Sequence, residues 1–218
     1  AFVTVLEDSA LRQAEAVDRA VAEGKGGRLA GVPIALKDNI QIAGERTTCS
    51  SKILDGYVSP YDATVTERLR AAGAVFIGKT VMTEWGMSPL GQNAHYRMPT
   101  NAHHAERCPG GSSSGSAVGV ALGLSPFSIG TDGGGSVRIP AALNGIFSIK
   151  PTFGRVSRNG SLSGSVGHIG PLGASPADLA VVLDAIASEP DPLDELTSLA
   201  APPPQGGFGA RLGAGVRP

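Results

Sequence analysis

The chain has 218 residues, 41% of them hydrophobic, with 18 basic and 19 acidic side chains and a formal charge of −1 at neutral pH. That length and apolar content suffice for a sizeable core in one domain, and a balanced charge with no basic run excludes a nucleic-acid surface as the main activity. Two cysteines, Cys49 and Cys108, are too few and too far apart for a disulfide framework or a metal cluster. No apolar stretch reaches the length of a membrane span and no signal peptide opens the chain, so a soluble, cytoplasmic protein with reduced thiols is expected.

Residues 8 to 23 place Leu11, Ala14, Val17, Ala20 and Val21 at helical spacing behind Asp8 and Ser9, which predicts an amphipathic helix ended by Gly24 to Gly27. Val32 to Leu36 is a short apolar run after a turn, expected to be a buried strand that delivers Lys37 at its exit. Thr64 to Ala72 predicts a second helix, and Ala74 to Ile77 a second buried strand. Ala117 to Leu124 is small and apolar, as in a tightly packed core helix, and Phe127 to Gly130 begins the next strand. Ala177 to Ala187 predicts another helix. This alternation points to an α/β fold with a central mixed sheet. From Glu189 onward, Pro190, Pro192, Pro202, Pro203 and Pro204 among many glycines read as linker, and Phe208 to Pro218 as the start of a further strand.

Two serine-bearing glycine clusters carry the chemistry. They are Gly110 to Ser116 and Gly130 to Arg138, with Ser112 and Ser136 lying 24 positions apart. Glycine lets a backbone turn tightly and aim several N–H groups at one point, while serine supplies a nucleophile. Such clusters are most often linkers, but each of these is followed by an ordered apolar segment, and the second contains Asp132 and Arg138. A serine needs a base, usually histidine. His103 and His104 lie in a polar turn-like stretch, and His95 and His168 have no acidic neighbour in a nucleophile-elbow context, so all four read as surface or supporting residues. Lys37, directly behind an apolar run, is best placed for the burial that would bring a lysine toward neutrality. Its plain alternative is a strand-end lysine paired with Asp38. Gly73 to Thr80 satisfies the literal phosphate-loop pattern, but its four intervening residues are apolar and strand-forming, so nucleotide binding is not expected.

The stretch from Gly110 through Val156 resembles the defining segment of the amidase signature family. The resemblance extends through Ala30 to Lys37 and Tyr61 to Thr80 on one side and Gly154 to Leu183 on the other. It implies a mixed central sheet flanked by helices, lacking its C-terminal part because members are usually about twice this long. The implied division is an amidase core over 1–188, then a Pro/Gly-rich linker and the start of a missing region over 189–218. The resemblance implies Ser136 as nucleophile, Ser112 as a relay held by a cis peptide bond, and Lys37 as the neutral base. It also implies an oxyanion hole from the N–H groups of Gly133, Gly134, Gly135 and Ser136, with Gly133 standing where the family usually has Thr. Asp132 and Arg138 are read as supports of that loop, and Ser113 either adds a hydrogen bond to the relay or is a plain turn serine.

The function so implied is hydrolysis of a carboxylic amide through an acyl-enzyme, with no cofactor and no metal. A second reading is the glutaminase subunit of a tRNA-dependent amidotransferase, which Ala1 to Thr4 and Thr47 to Leu54 resemble. Gly91 to Tyr96 and Ser136 to Ala141 resemble general amidases instead, the glutaminase subunit normally carrying glutamine where Ile139 stands. A third is a non-catalytic fragment or scaffold. The partners these readings allow are a small-molecule amide and a second copy of the chain in a homodimer, with further amidotransferase subunits under the second reading only. Neither a membrane nor direct nucleic-acid binding is expected.

Overall fold

The computed structural model describes residues 1–187 and 189–215. Its centre is a six-stranded mixed sheet in the order β1-β3-β2-β4-β6-β5. The strands are β1 (Phe2–Val5), β2 (Pro33–Lys37), β3 (Val75–Thr80), β4 (Phe127–Asp132), β5 (Phe147–Ser148) and β6 (His168–Gly173). The helices are α1 (Glu7–Ala22), α2 (Thr64–Ala71), α3 (Ser114–Ala121), α4 (Arg138–Leu143) and α5 (Pro176–Ile186). β2 runs parallel to both β3 and β4, so Lys37, Thr80 and Asp132 end the three central strands on one edge of the sheet. The carboxyl ends of parallel strands are where α/β sheets place ligands.

Ile34, Leu36, Phe76, Phe127, Ile129 and Ile169 from the sheet pack with Leu69 of α2 and Val182, Leu183 and Ile186 of α5 in the main core. A smaller cluster of Ala117, Val137, Ala141 and Leu172 joins α3 and α4 to the sheet. The Ser–Gly composition of α3 has a steric cause. A Cβ at Gly115 would lie 2.1 Å from the Ala1 carbonyl oxygen and 2.8 Å from the Val81 backbone, so the helix lies against the exit of β3 only with glycine there.

Several expectations shift. The core helix starts at Ser114, three residues before Ala117, because the second half of the serine cluster is its first turn. Strand β3 runs to Thr80, so the phosphate-loop pattern is extended backbone. Helix α1 buries no residue completely, and Leu11 and Val21 stay exposed. Strand β6 lies beside β4 along its whole length, from Asp132↔His168 to Phe127↔Gly173, a strand that Gly170, Pro171 and Gly173 conceal in the sequence.

The proline-rich stretch is held more firmly than a linker. Asp191 is buried and accepts hydrogen bonds from the hydroxyls of Ser157 and Thr64. Asp194 accepts from the Arg158 backbone at 2.9 Å, and Phe208 packs on the core. The further strand read at Phe208 to Pro218 is a series of turns over 208–214, and its last three residues lie outside the described ones.

Candidate active site

Strand β2 carries Lys37 inward at its last position, fully buried. Its Nζ lies 2.7 Å from Ser112 Oγ, 2.8 Å from Thr131 Oγ1 and 3.2 Å from the Thr131 carbonyl oxygen. Burial lowers its pKa from 10.5 to about 7, with Asp132 and Cys49 pulling weakly the other way. The alternative pairing of Lys37 with Asp38 is not what the structure shows. Successive side chains on a strand point to opposite faces, and Asp38 meets Lys79 of β3 at 3.7 Å, both fully buried. Asp38 Oδ2 also accepts from the backbone N–H groups of Thr48 and Ser50 and from the Thr48 hydroxyl.

The Gly111–Ser112 peptide bond is cis, as the resemblance implies. Ser112 and Ser136 line one cleft of about 360 Å³ with Asn39, Thr131, Gly133 and Gly134. Among the described residues no hydrogen bond joins the two hydroxyls; the segments meet through the backbone, Ser113 N donating to Ser136 O at 3.1 Å. The Ser113 hydroxyl is buried and donates to the Thr131 carbonyl at 3.3 Å.

Asp132 is buried at the end of β4. Burial alone would raise its pKa, but the Arg138 guanidinium and the N–H groups of Val137 and Gly135 outweigh that and hold it at about 2. Arg138 binds it with two nitrogens, at 3.0 and 3.1 Å. The Gly135 N–H donates to Asp132 Oδ1 at 2.6 Å, which corrects one expectation: this donor is committed to the loop and does not face the cleft. Gly135 sits at φ +131°, and a Cβ there would lie 2.6 Å from Ile139 Cδ1, so glycine is required by shape. The N–H groups of Gly133, Gly134 and Ser136 carry no protein partner among the described residues and remain as donors beside the nucleophile candidate.

The site also contains residues the sequence did not single out. Thr131 touches Lys37 with both its oxygens, and Asn39 Nδ2 donates to Thr131 Oγ1 at 3.0 Å. Lys79 anchors the 46–48 turn, donating to Thr47 Oγ1 at 2.9 Å and to the Arg46 carbonyl at 3.3 Å. The sequence signal of Asn39 and Thr131 is adjacency to the singled-out Asp38 and Asp132, and Lys79 stands inside the phosphate-loop pattern set aside as strand. None of the four histidines lines the cleft; His168 Nδ1 lies 3.1 Å from the Asp132 carbonyl, in a supporting place. Among the described residues no group of three or more His, Cys, Asp or Glu could hold a metal, and no helix is long and apolar enough to cross a membrane.

Among known proteins, the chain is similar to a glutamyl-tRNA(Gln) amidotransferase subunit from Symbiobacterium thermophilum, at 48% identity over 207 residues, covering 93% of this chain and 42% of that protein. The peptide amidase of Stenotrophomonas maltophilia superposes with a TM-score of 0.86 at 41% identity, over 92% of this chain and 42% of the enzyme. The corresponding glutamyl-tRNA(Gln) amidotransferase subunit from Thermotoga maritima superposes at 0.74 with 41% identity, over 79% and 38%. The chain thus spans about two fifths of the length of the relatives it matches. The Amidase family model matches residues 1–206, and the chain belongs to the amidase signature family.

Proposed function

We propose that the protein hydrolyses a carboxylic amide to an acid and ammonia or an amine, with Ser136 as nucleophile, Ser112 as proton relay and Lys37 as base. The observation that carries this reading is a lysine in no ion pair among the described residues, its pKa lowered to about 7, whose nitrogen lies 2.7 Å from a serine hydroxyl in the cleft. Neutral Lys37 has two N–H groups and one lone pair. With the N–H groups donated to the two Thr131 oxygens, the lone pair is left for the Ser112 proton. Ser112 takes the Ser136 proton as Ser136 Oγ bonds to the amide carbon, and the carbonyl electrons move to an oxyanion beside the N–H groups of Gly133, Gly134 and Ser136. The proton then returns through Ser112 to the leaving nitrogen as the C–N bond breaks. Water cleaves the resulting ester by the same path in reverse.

Under this reading Asp132 and Arg138 shape the oxyanion loop, and the substrate is a small-molecule amide. The amidotransferase relatives favour a second reading, in which glutamine is the amide and its ammonia passes to partner subunits. A fluorophosphonate probe followed by peptide mapping tests the common chemistry. Labelling at Ser136 that Ser136→Ala abolishes is the expected result, and a folded protein left unlabelled overturns it. Release of ammonia from glutamine against other amides separates the two readings.

A further inference from the structure

The loop after β4 begins with Gly133, Gly134 and Gly135, three successive residues of the widest backbone freedom, so groups outside them must fix where their N–H groups point. The far end is fixed by the Asp132 carboxylate, which accepts from the N–H groups of Gly135 and Val137 at 2.6 and 3.1 Å and is itself held by Arg138. The near end depends on the peptide that joins Asp132 to Gly133. Shape does not fix it: a Cβ added at Gly133 would meet Val166 Cγ2 at an ordinary 3.6 Å, whereas at Gly135 it would clash with Ile139. Register places His168, the first residue of β6, opposite Asp132, and its Nδ1 lies 3.1 Å from the Asp132 carbonyl oxygen. A carbonyl only accepts, so Nδ1 carries the proton in this contact, as it does in the imidazolium and in one neutral tautomer. The ring is held in turn. It meets Phe153 edge to face with centroids 5.2 Å apart, and the Arg158 guanidinium, bonded to Asp194 and to the Ser165 carbonyl, lies 4.8 Å from the centroid of Phe153.

We infer that His168 is a positioning residue for amide hydrolysis: by holding the Asp132 carbonyl it sets the plane of the Asp132–Gly133 peptide and so aims the Gly133 N–H at the oxyanion. This rests on the amidase reading for what that N–H meets, while the hold on the peptide stands apart from it. In a trans peptide the C=O and N–H point in opposite directions, and the Asp132–Gly133 bond is trans. Strand β4 lies between β2 and β6, and its carbonyls alternate, that of Thr131 facing Lys37 of β2 and that of Asp132 facing His168 of β6. The Gly133 N–H is therefore turned to the β2 side, where Lys37 meets Ser112 beside the cleft that Gly133 lines. The imidazole does not line that cleft, so it acts through the peptide and not on the reacting atoms.

Two substitutions separate the N–H from the ring. His168→Phe keeps the aromatic contact with Phe153 and removes the donor, whereas His168→Asn keeps an N–H on the same side-chain branch as Nδ1 and removes the ring. With an amide that the unmutated protein turns over, His168→Phe should lower kcat about ten-fold or more, part of the roughly 10²–10³-fold that loss of a whole oxyanion donor costs, with KM little changed. Fluorophosphonate labelling of Ser136 should slow by the same factor. His168→Asn should retain most of both rates. A ring that serves only packing gives the reverse order, Phe tolerated and Asn impaired; that order, or equal losses in the two variants, overturns the inference. Amide hydrogen exchange across residues 133–135 reads the hold on the peptide without any turnover. It should quicken in His168→Phe and not in His168→Asn, and unchanged exchange in His168→Phe overturns the hold. Failure of the amidase reading shows separately, in the unmutated protein, as no hydrolysis and no label on Ser136 while the exchange still responds to His168→Phe.

Discussion

Lys37 and Lys79 occupy neighbouring parallel strands, one position apart in register, and both are withdrawn from water. Burial lowers the pKa of each, to about 7 for Lys37 and about 8 for Lys79, where Asp38 partly offsets it. Their surroundings differ in one respect. Lys79 faces the Asp38 carboxylate and, with Thr47 and Arg46, pins the 46–50 turn. Lys37 faces a hydroxyl pair and a carbonyl, and the carboxylate whose charge acts on it, Asp132, is already held by Arg138. Burial makes a lysine ready to lose its proton; a carboxylate beside it decides whether the charge stays as structure or the lone pair becomes available for chemistry.

The largest expected effect separates the two lysines directly. Lys37→Met should lower kcat by about 10³-fold or more at neutral pH, in line with losses on removing a member of a catalytic triad. Its Tm should hold or rise, since a buried amine without a counter-ion is replaced by an apolar chain of similar volume. Steady-state hydrolysis and a thermal melt measure both; activity within ten-fold of the original protein would show that another group is the base. Lys79→Met should do the opposite. Leaving the Asp38 carboxylate buried and unpaired should cost about 3–5 kcal/mol of stability, read from urea unfolding, with Asp38→Asn in the same chain restoring much of it. A stable Lys79→Met protein would mean that the pair carries no charge.

That contrast was only half legible in the sequence. Lys37 stood out because the apolar run before it guarantees burial, yet its sequence neighbour Asp38 suggested the wrong ion pair. The two-residue period of a strand sends Asp38 to the other face, and its true partner lay 41 positions downstream, hidden inside a phosphate-loop look-alike. The serine clusters were legible as site-forming, but their hydrogen-bond assignments were not: a glycine N–H turned toward its own preceding Asp132 looks no different in sequence from one turned toward the cleft. Strand β6 and helix α4 escaped because Gly170, Pro171 and Pro140 mimic turn signals, and only pairing with β4 and packing against Leu172 override them. The proline-rich tail read as linker because proline content does not reveal that Asp191 and Asp194 tie it down.

A smaller effect sharpens the Lys37 side. If neutral Lys37 is the base, kcat/KM should rise with pH through about 7 and level off above it, because the protonated amine has no lone pair to offer. Asp132 favours the charged form, so Asp132→Asn should move this limb to lower pH. A profile flat from pH 5 to 9 would remove Lys37 from the mechanism. Stability carries the same signature: between about 7 and 10.5 the unfolded chain binds the proton that folded Lys37 releases, so unfolding free energy increases with pH across that window. Lys37→Met should reduce the slope, leaving the part that Lys79, lowered to about 8, contributes between about 8 and 10.5.

The smallest effect tests whether the Asp38–Lys79 pair closes the turn between the two lysines. Cys49 lies in that turn at φ +53°, fully buried, and burial together with the Asp38 charge pushes its thiol up to about 12 against the pull of Lys79 and Lys37. Thiol alkylation requires both a thiolate and access, so in the native protein at pH 8 iodoacetamide should modify partly exposed Cys108 and spare Cys49. Asp38 holds the turn through the N–H groups of Thr48 and Ser50 on either side of Cys49. Weakening the pair by Asp38→Asn should therefore speed alkylation of Cys49 several-fold with little change at Cys108, which peptide mapping resolves. If Cys49 in the unmutated protein alkylates as fast as Cys108, the turn opens on its own, and the pair does not govern it.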